Sequence, residues 1–379
     1  MKIGLLLDDT LDSNDGVQQY VKSLARWLLK EGHDVKFLVG QSSDKSEFGN
    51  RVISLSTNII VSGNSNILSM PIWPNIEKMK KSLDEEKFDV LHVQAPYSPL
   101  MSEIILNLAN TPKVATFHIF STNPVYCYGS KILAFFQKKS LSSIRFISIS
   151  VASKKFAKNF FGVDSIVIPP AINLKKNDGK MIKKYLDGKI NILFFGRLVK
   201  RKGVIYLLRA YKKLITRIGK NSLRIIIAGE GKEKTWLKIY AKMFNLPNVE
   251  FTGYIEENDK AAYYNTSDIC VFTATHGESF GIVLLEAMAC GKPVVAFANA
   301  GYKEVLANAG YKEVLTGEGA RFLVEPKNVD ELAEKLEILI KDKKLRDRMG
   351  KWGLEEVKKY DLSIMGKQIL NFYKEVLRD

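Results

Sequence analysis

A chain of 379 residues is long for a single core, so two domains of about 180 residues each are expected. Its 46% apolar content excludes wholesale disorder, and no apolar run approaches the roughly eighteen uncharged residues of a membrane span. The net charge of +16 calls for an anionic partner, whether phosphates, nucleic acid or a lipid surface.

Met1 leads directly into an apolar strand, Lys2 to Leu7, so a protein neither secreted nor membrane-spanning is expected. The three cysteines, Cys127, Cys270 and Cys290, form no Cys-x-x-Cys pair, which points to a reducing cytoplasm, buried thiols and no zinc site. After the first strand come a loop, Asp8 to Gly16, a helix from about Val17 to Lys30, and the strand Val35 to Val39. This is the βαβ start of a parallel sheet. Ser54 to Pro74 is poor in charge and reads as hairpin-like excursions with a loop over the site. Phe88 to Gln94 and Val114 to His118 are further strands. His118 falls at a strand's C-terminal end, the edge where doubly wound sheets bind ligands, whereas His92 lies inside an apolar strand and reads as a core residue.

From Ile104 to Val163 there is no Asp or Glu, while Lys113, Lys131, Lys138, Lys139, Arg145, Lys154, Lys155 and Lys158 are all present. Within it, Lys131 to Lys139 reads as a short helix in which Phe135 and Phe136 stand between basic flanks. Such a helix can lie in an anionic bilayer interface, and the alternative is a core-facing helix with solvated lysines. The missing acids favour membrane contact through Lys131, Phe135, Phe136, Lys138 and Lys139. No nucleic-acid motif accompanies the charge, so no nucleic-acid partner is expected.

The polar, basic stretch 173–189 reads as a linker, leaving an N-terminal domain of residues 1–172. Ile190 to Phe195 opens a second parallel sheet, followed by Gly196-Arg197-Leu198-Val199-Lys200-Arg201-Lys202-Gly203, a helix from Val204 and a strand, Leu223 to Ala228. Gly229-Glu230-Gly231-Lys232 is a sugar-nucleotide type of turn rather than a dinucleotide Gly-x-Gly-x-x-Gly. Arg197 and Lys202, framed by Gly196 and Gly203 after a strand, are fixed cations that can meet an anion's charge where no Asp-x-Asp metal motif exists at the first domain's strand ends. The strand Ile269 to Phe272 then runs into His276-Gly277-Glu278-Ser279-Phe280-Gly281 and a helix, Ile282 to Ala289, stopped by Gly291 and Pro293. Backbone N–H groups of Phe280, Gly281 and Ile282 thus stand at a helix start, where they suit a phosphate. Glu278 and Glu286 lie about two turns apart and cannot grip one metal, which suits them to different hydroxyl-rich parts of one ligand.

The segment Gly277 to Ala289, with Glu278 and Glu286 in an E-x7-E arrangement, resembles the signature of retaining glycosyltransferases of the GT-B fold, family four. Gly196 to Gly203 resembles the family's diphosphate-binding turn. In the N-terminal half, Gly16-Val17-Gln18, Asp89 to His92 and Ala115 to His118 are most similar to the phosphatidylinositol mannosyltransferases. The resemblance covers nearly the whole chain and is most specific in 191–203 and 276–293. It implies an α/β protein of two Rossmann-like, doubly wound domains facing a cleft, the second spanning 190–358, with a C-terminal helix, 359–379, returning to the first. It implies transfer of a hexose from a nucleoside diphosphate sugar to a lipid or glycan acceptor without an essential metal or other cofactor. Arg197 and Lys202 would hold the diphosphate, Glu286 the ribose and Glu278 the sugar, with His118 and Gln18 toward the acceptor. Gly16, Ile255, Ser279, Phe280, Gly281, Ile282 and Val283 complete the implied donor contacts. With no free carboxylate evident for a double displacement, attack on the leaving-group face is expected. Mannose from a GDP-linked donor, a phosphatidylinositol-type acceptor and peripheral attachment to the inner face of the cell membrane follow from the same likeness. A soluble or polyprenyl-linked acceptor and a non-enzymatic basic binding protein are the competing readings.

Two features depart from the family. Asp15 stands where a Gly-Gly turn has its first glycine, and an acid beside a diphosphate is expected to point away. Ala298 to Leu306 recurs without change at Ala307 to Leu315, too short a period for a solenoid and expected to be absorbed as a surface insertion.

Overall fold

The computed structural model describes residues 1–13, 15–43, 47–63, 66–96, 98, 100–121, 123–174, 179–299 and 317–378. The duplicated nonapeptide, apart from Ala298 and Asn299, lies outside the described residues. The chain divides into two compact units, one of Met1–Ala171 with Leu362–Asp379, the other of Ile172–Asp361.

In the first unit the strands are β1 (Lys2–Leu7), β2 (Asp34–Val39), β3 (Val52–Ser54), β4 (Ser56–Gly63), β5 (Asn66–Pro74), β6 (Val90–Gln94), β7 (Lys113–Phe117), β8 (Ile144–Ser148) and β9 (Ile166–Val167). Among the described residues seven of them form one parallel sheet in the order β3-β2-β1-β6-β7-β8-β9. The strands β4 and β5 pair antiparallel as a separate hairpin, which is the excursion read from Ser54 to Pro74. Near-continuous apolar runs such as Ile3 to Leu7 suit strands covered on both faces. The covering helices are α1 (Gly16–Lys30), α2 (Ile76–Glu86), α3 (Met101–Leu108), α4 (Pro124–Phe136), α5 (Lys138–Leu141) and α6 (Val151–Phe156).

The second unit holds β10 (Ile190–Phe195), β11 (Leu223–Ala228), β12 (Val249–Gly253), β13 (Ile269–Phe272), β14 (Val294–Phe297) and β15 (Leu323–Val324), in the order β12-β11-β10-β13-β14-β15 and again parallel. Its helices are α7 (Val204–Ile218), α8 (Lys234–Met243), α9 (Lys260–Thr266), α10 (Ile282–Ala289), α11 (Val329–Lys341) and α12 (Lys343–Val357). Ile192, Phe194, Leu207, Tyr211, Ile225, Val271 and Val295 belong to one buried cluster on this sheet. The helix α13 (Leu362–Val376) packs on α1 in the first unit.

Strand order reverses between β1 and β6 in the first unit and between β10 and β13 in the second. Such switch points open a crevice at the strands' C-terminal ends, where doubly wound sheets take ligands. The stretch read as a linker is packed at its far end. Tyr185 is buried, its OH donates to Glu250 Oε2 (2.9 Å), and Asp187 pairs with Arg224 at 2.6 Å. An aromatic ring among lysines was the signal for that anchorage.

Candidate active site

In the second unit the site is assembled by hydrogen bonds from one loop to backbone carbonyls of another. After β10, Lys200–Lys202 forms a short 3₁₀ turn ended by Gly203 at φ +65°. A Cβ on Gly203 would stand 2.2 Å from the Thr273 carbonyl oxygen, so only glycine lets this turn lie against the end of β13. The Thr275 N–H donates to Arg201 O at 2.8 Å, and Thr273 Oγ1 donates to Lys202 O at 3.0 Å. These bonds bring Glu278 to the turn, where its Oε1 meets Lys202 Nζ at 2.7 Å and Arg201 Nη1 at 2.6 Å.

Arg201 Nη1 also reaches Gly277 O at 3.3 Å. Burial opposes the Glu278 charge, yet Lys202 and Arg201 hold its carboxyl below the usual glutamate value. Burial draws the Lys202 ammonium below its usual value against the pull of Glu278. Sequence reasoning chose Lys202 and Arg197 and passed over Arg201. Its position beside Lys202 was visible, but not which of the neighbouring cations would reach the carboxylate. Arg197 stands two residues beyond the end of β10.

Glu286 lies on α10, separate from this cluster. Its Oε2 accepts from Tyr264 OH at 2.9 Å and its Oε1 faces Lys260 Nζ at 3.4 Å. The Tyr264 ring is buried and stacks on Phe195, with centroids 5.5 Å apart. Tyr264 and Lys260 carried no sequence motif, since α9 reaches Glu286 only through the sheet's packing. Gly281 caps α10 at φ +115°, Phe280 is buried beside Tyr360, and Ser279, Ile282 and Val283 are half-buried. Ile255, half-buried, follows β12. Among the described residues no group of three or more His, Cys, Asp or Glu side chains is placed to hold a metal.

The first unit's switch point sets the buried, uncharged side chains of His118 and Gln18 beside the carboxylates of Asp8 and Asp9. His118 follows β7, its Nε2 hydrogen-bonds Gln94 Oε1 at 2.7 Å, and its ring packs edge-on to Tyr20 at 4.9 Å. Burial pushes its pKa down to about 3, so the ring is neutral at working pH. Gln94, at the end of β6, was not singled out from the sequence, although the register β6–β7 seats it opposite Thr116. Gln18 is buried on α1 and donates through Nε2 to Asp9 Oδ2 at 3.0 Å. Gly16 begins that helix in open surroundings, and Asp15 holds the N-cap position, where a carboxylate is favoured by the helix dipole. The core reading of His92 is correct: it is fully buried, with Nδ1 at 2.6 Å from Tyr373 OH and Nε2 at 2.6 Å from Thr116 Oγ1. Asp8 Oδ1 accepts from Ser102 N (2.7 Å) and Ser102 Oγ (2.6 Å), and burial raises its pKa to about 6.

The basic segment differs from its sequence reading in extent. The helix begins at Pro124 rather than Lys131 and breaks at Gln137 before α5. Asn123 Oδ1 accepts from Val125 N at 3.0 Å, so the Asn-Pro pair was an unread cap-and-start signal. Gln137 fixes the break through Nε2 donation to Ser98 O and Glu103 Oε2, both at 3.2 Å. The helix turns Ser130 and Ala134 inward and leaves Val125, Tyr128, Ile132, Phe135 and Phe136 between 55% and 83% exposed. Lys131, Lys138 and Lys139 are exposed beside them. No helix among the described residues is long and apolar enough to cross a membrane.

Residues 14–176 match the family model described as Glycosyltransferase Family 4, and residues 178–355 match Glycosyl transferases group 1. A phosphatidyl-myo-inositol mannosyltransferase of Mycolicibacterium smegmatis is 30% identical over 99% of this chain and 94% of its own length. An uncharacterized glycosyltransferase of Methanocaldococcus jannaschii is 27% identical over 95% of this chain and 94% of that protein. In fold, an Anabaena HepE structure in complex with UDP matches with a TM-score of 0.77 at 19% identity, covering 99% of this chain and 100% of that one. A Rickettsia africae glycosyltransferase gives 0.76 at 19%, covering 100% and 99%. The chain belongs to the family-four glycosyltransferases of the GT-B fold, and it is a glycosyltransferase.

Proposed function

We propose that this enzyme transfers mannose, with retention, from a GDP-linked donor to a membrane-lipid acceptor of the phosphatidylinositol type, at the inner face of the cell membrane. The donor belongs to the second unit, where Arg197 and Lys202 receive the diphosphate, Glu286 the ribose and Glu278 the sugar hydroxyls. Ile255 and the turn Ser279 to Val283 complete that side, and Gly16 is proposed as a further donor contact. A carboxylate tied to two cations, as Glu278 is, makes a poor nucleophile, which supports attack on the face the diphosphate leaves. His118, buried and neutral, suits contact with hydroxyls rather than a phosphate, and Gln18 assists it on the acceptor side. The reaction is proposed to need no metal, since fixed cations stand where charge develops.

The observation that carries the lipid acceptor is the apolar face of α4, with Phe135 and Phe136 at 76% and 74% exposure beside Lys131, Lys138 and Lys139. Each basic residue near an anionic surface contributes about 1 kcal/mol of attraction. The test is transfer of labelled mannose from GDP-mannose to phosphatidylinositol vesicles, with UDP-sugars and soluble or polyprenyl-linked acceptors in parallel. The proposal expects lipid product, and vesicle binding lost when Lys131, Lys138 and Lys139 are changed to Glu. Product formed equally on soluble acceptors, with vesicle binding indifferent to salt and to those changes, would sink the lipid assignment.

A further inference from the structure

The donor turn holds one carboxylate and two cations on a single oxygen, and the two cations are not held alike. Lys202 ends on Glu278 Oε1 through a flexible four-carbon stem. Both backbones are fixed, the Lys202 carbonyl by Thr273 Oγ1 at 3.0 Å and the Arg201 carbonyl by Thr275 N at 2.8 Å. The Arg201 side chain, however, is also held by a second acceptor, its Nη1 being shared between Glu278 Oε1 and Gly277 O.

The side chains of Glu278, Lys202 and Arg201 are only 11%, 13% and 15% exposed. If Lys202 serves the diphosphate, as proposed above, it must give up Glu278, and a carboxylate stripped of its partner in such surroundings is strongly disfavoured. That penalty would set itself against donor binding. We infer that Arg201 is the resident counter-ion of Glu278, a positioning residue that keeps this carboxylate charged and aimed while Lys202 turns to the donor phosphates.

This inference rests on the donor reading and differs from a direct Arg201–phosphate contact in a measurable way. A counter-ion matters only while Glu278 carries charge. A phosphate ligand matters regardless of Glu278.

The experiment is calorimetric titration of the full chain with bare GDP and UDP, which lack the sugar that Glu278 would hold. Arg201→Met should weaken the bound diphosphate about tenfold, because Lys202 is then retained by an otherwise unpaired carboxylate. Arg201→Lys, keeping the charge, should stay within about threefold of the unmutated protein. Glu278→Gln should bind the diphosphate at least as tightly as the unmutated chain. The combination of Arg201→Met with Glu278→Gln should recover the affinity of Glu278→Gln alone. If Arg201→Met does not fold, comparison of the combined variant with Glu278→Gln still decides, since a counter-ion is dispensable there.

A combined variant markedly weaker than Glu278→Gln, or Arg201→Met binding like the unmutated protein, overturns the inference while leaving the donor site standing. Failure of the unmutated chain to bind either diphosphate would overturn the donor reading, and the inference with it.

Discussion

The two sheets present the same edge to different chemistry. Beyond β10 and β13 the second unit gathers full charges, with Lys202 and Arg201 on Glu278 at 2.7 and 2.6 Å, and Glu286 facing Lys260. Beyond β6 and β7 the first unit keeps its histidines neutral by burial, with His118 and His92 both pushed down to about 3, while Asp8, raised only to about 6, stays ionised at neutral pH. Parallel topology alone therefore does not set what a switch point binds. A cluster of paired charges suits a phosphate whose charge grows during reaction, and a neutral, hydrogen-bonding lining suits hydroxyls.

The largest expected effect tests the charged side. Lys202→Ala should lower the transfer rate by two to three orders of magnitude, about 3–4 kcal/mol, as for other fixed electrostatic groups facing a developing anion. A steady-state assay with donor near saturation checks it, and a loss below tenfold would remove Lys202 from the diphosphate.

Acidification tests the neutral side. A histidine whose folded value lies below its unfolded one contributes stability that is lost as pH falls from about 6.5 toward 3. Asp8, with its folded value raised, works in the opposite sense between about 6 and 4, where it is relieved as pH falls. The buried His92 and His118 should therefore each impose an acid sensitivity of about 1.4 kcal/mol per pH unit below 6.5, so that His92→Asn removes its own share and Asp8→Asn worsens the total. Hydrogen exchange resolved by unit, from pH 7 to 5, reads this in the first unit. The second unit shares the onset through His276, which burial also draws below its usual value, and loses the contribution of the depressed Glu278 only below the ordinary glutamate value.

Within the second unit, Glu286→Ala should weaken nucleoside diphosphate and sugar nucleotide alike, by about 1.5–3 kcal/mol for a lost charged hydrogen bond. Glu278→Ala should act far more on the sugar nucleotide. Equal losses of both ligands in both variants would end the division between ribose and sugar.

The smallest contrast sets one glycine against another. Gly203→Ala places a methyl 2.2 Å from Thr273 O at positive φ, and should cost about 1–3 kcal/mol in urea denaturation while loosening the Arg201–Glu278 contact. Gly16→Ala meets nothing within 4 Å at the start of α1 and should be neutral or stabilising by a few tenths of a kcal/mol. Equal destabilisation by both would mean that the two loops are built under the same steric demand.

The reading of two parallel sheets followed from local signals. Ile3 to Leu7 is apolar throughout and Leu223 to Ala228 is apolar apart from Arg224, helices with one apolar stripe follow them, and a strand, a glycine turn and a helix mark the motif around Glu278. His118 and His92 could be separated by position alone, one past a strand's end and one within a strand. Pairing could not be separated so. That Glu278 meets Arg201 as well as Lys202, that Tyr264 holds Glu286, and that Gln94 fixes His118 depend on contacts across 77, 22 and 24 residues of sequence. Composition and periodicity report what a residue's own element buries, because that is set within a few neighbours. The choice of partner is set by strand order and register, which bring distant strand ends together, and only the folded sheet decides it.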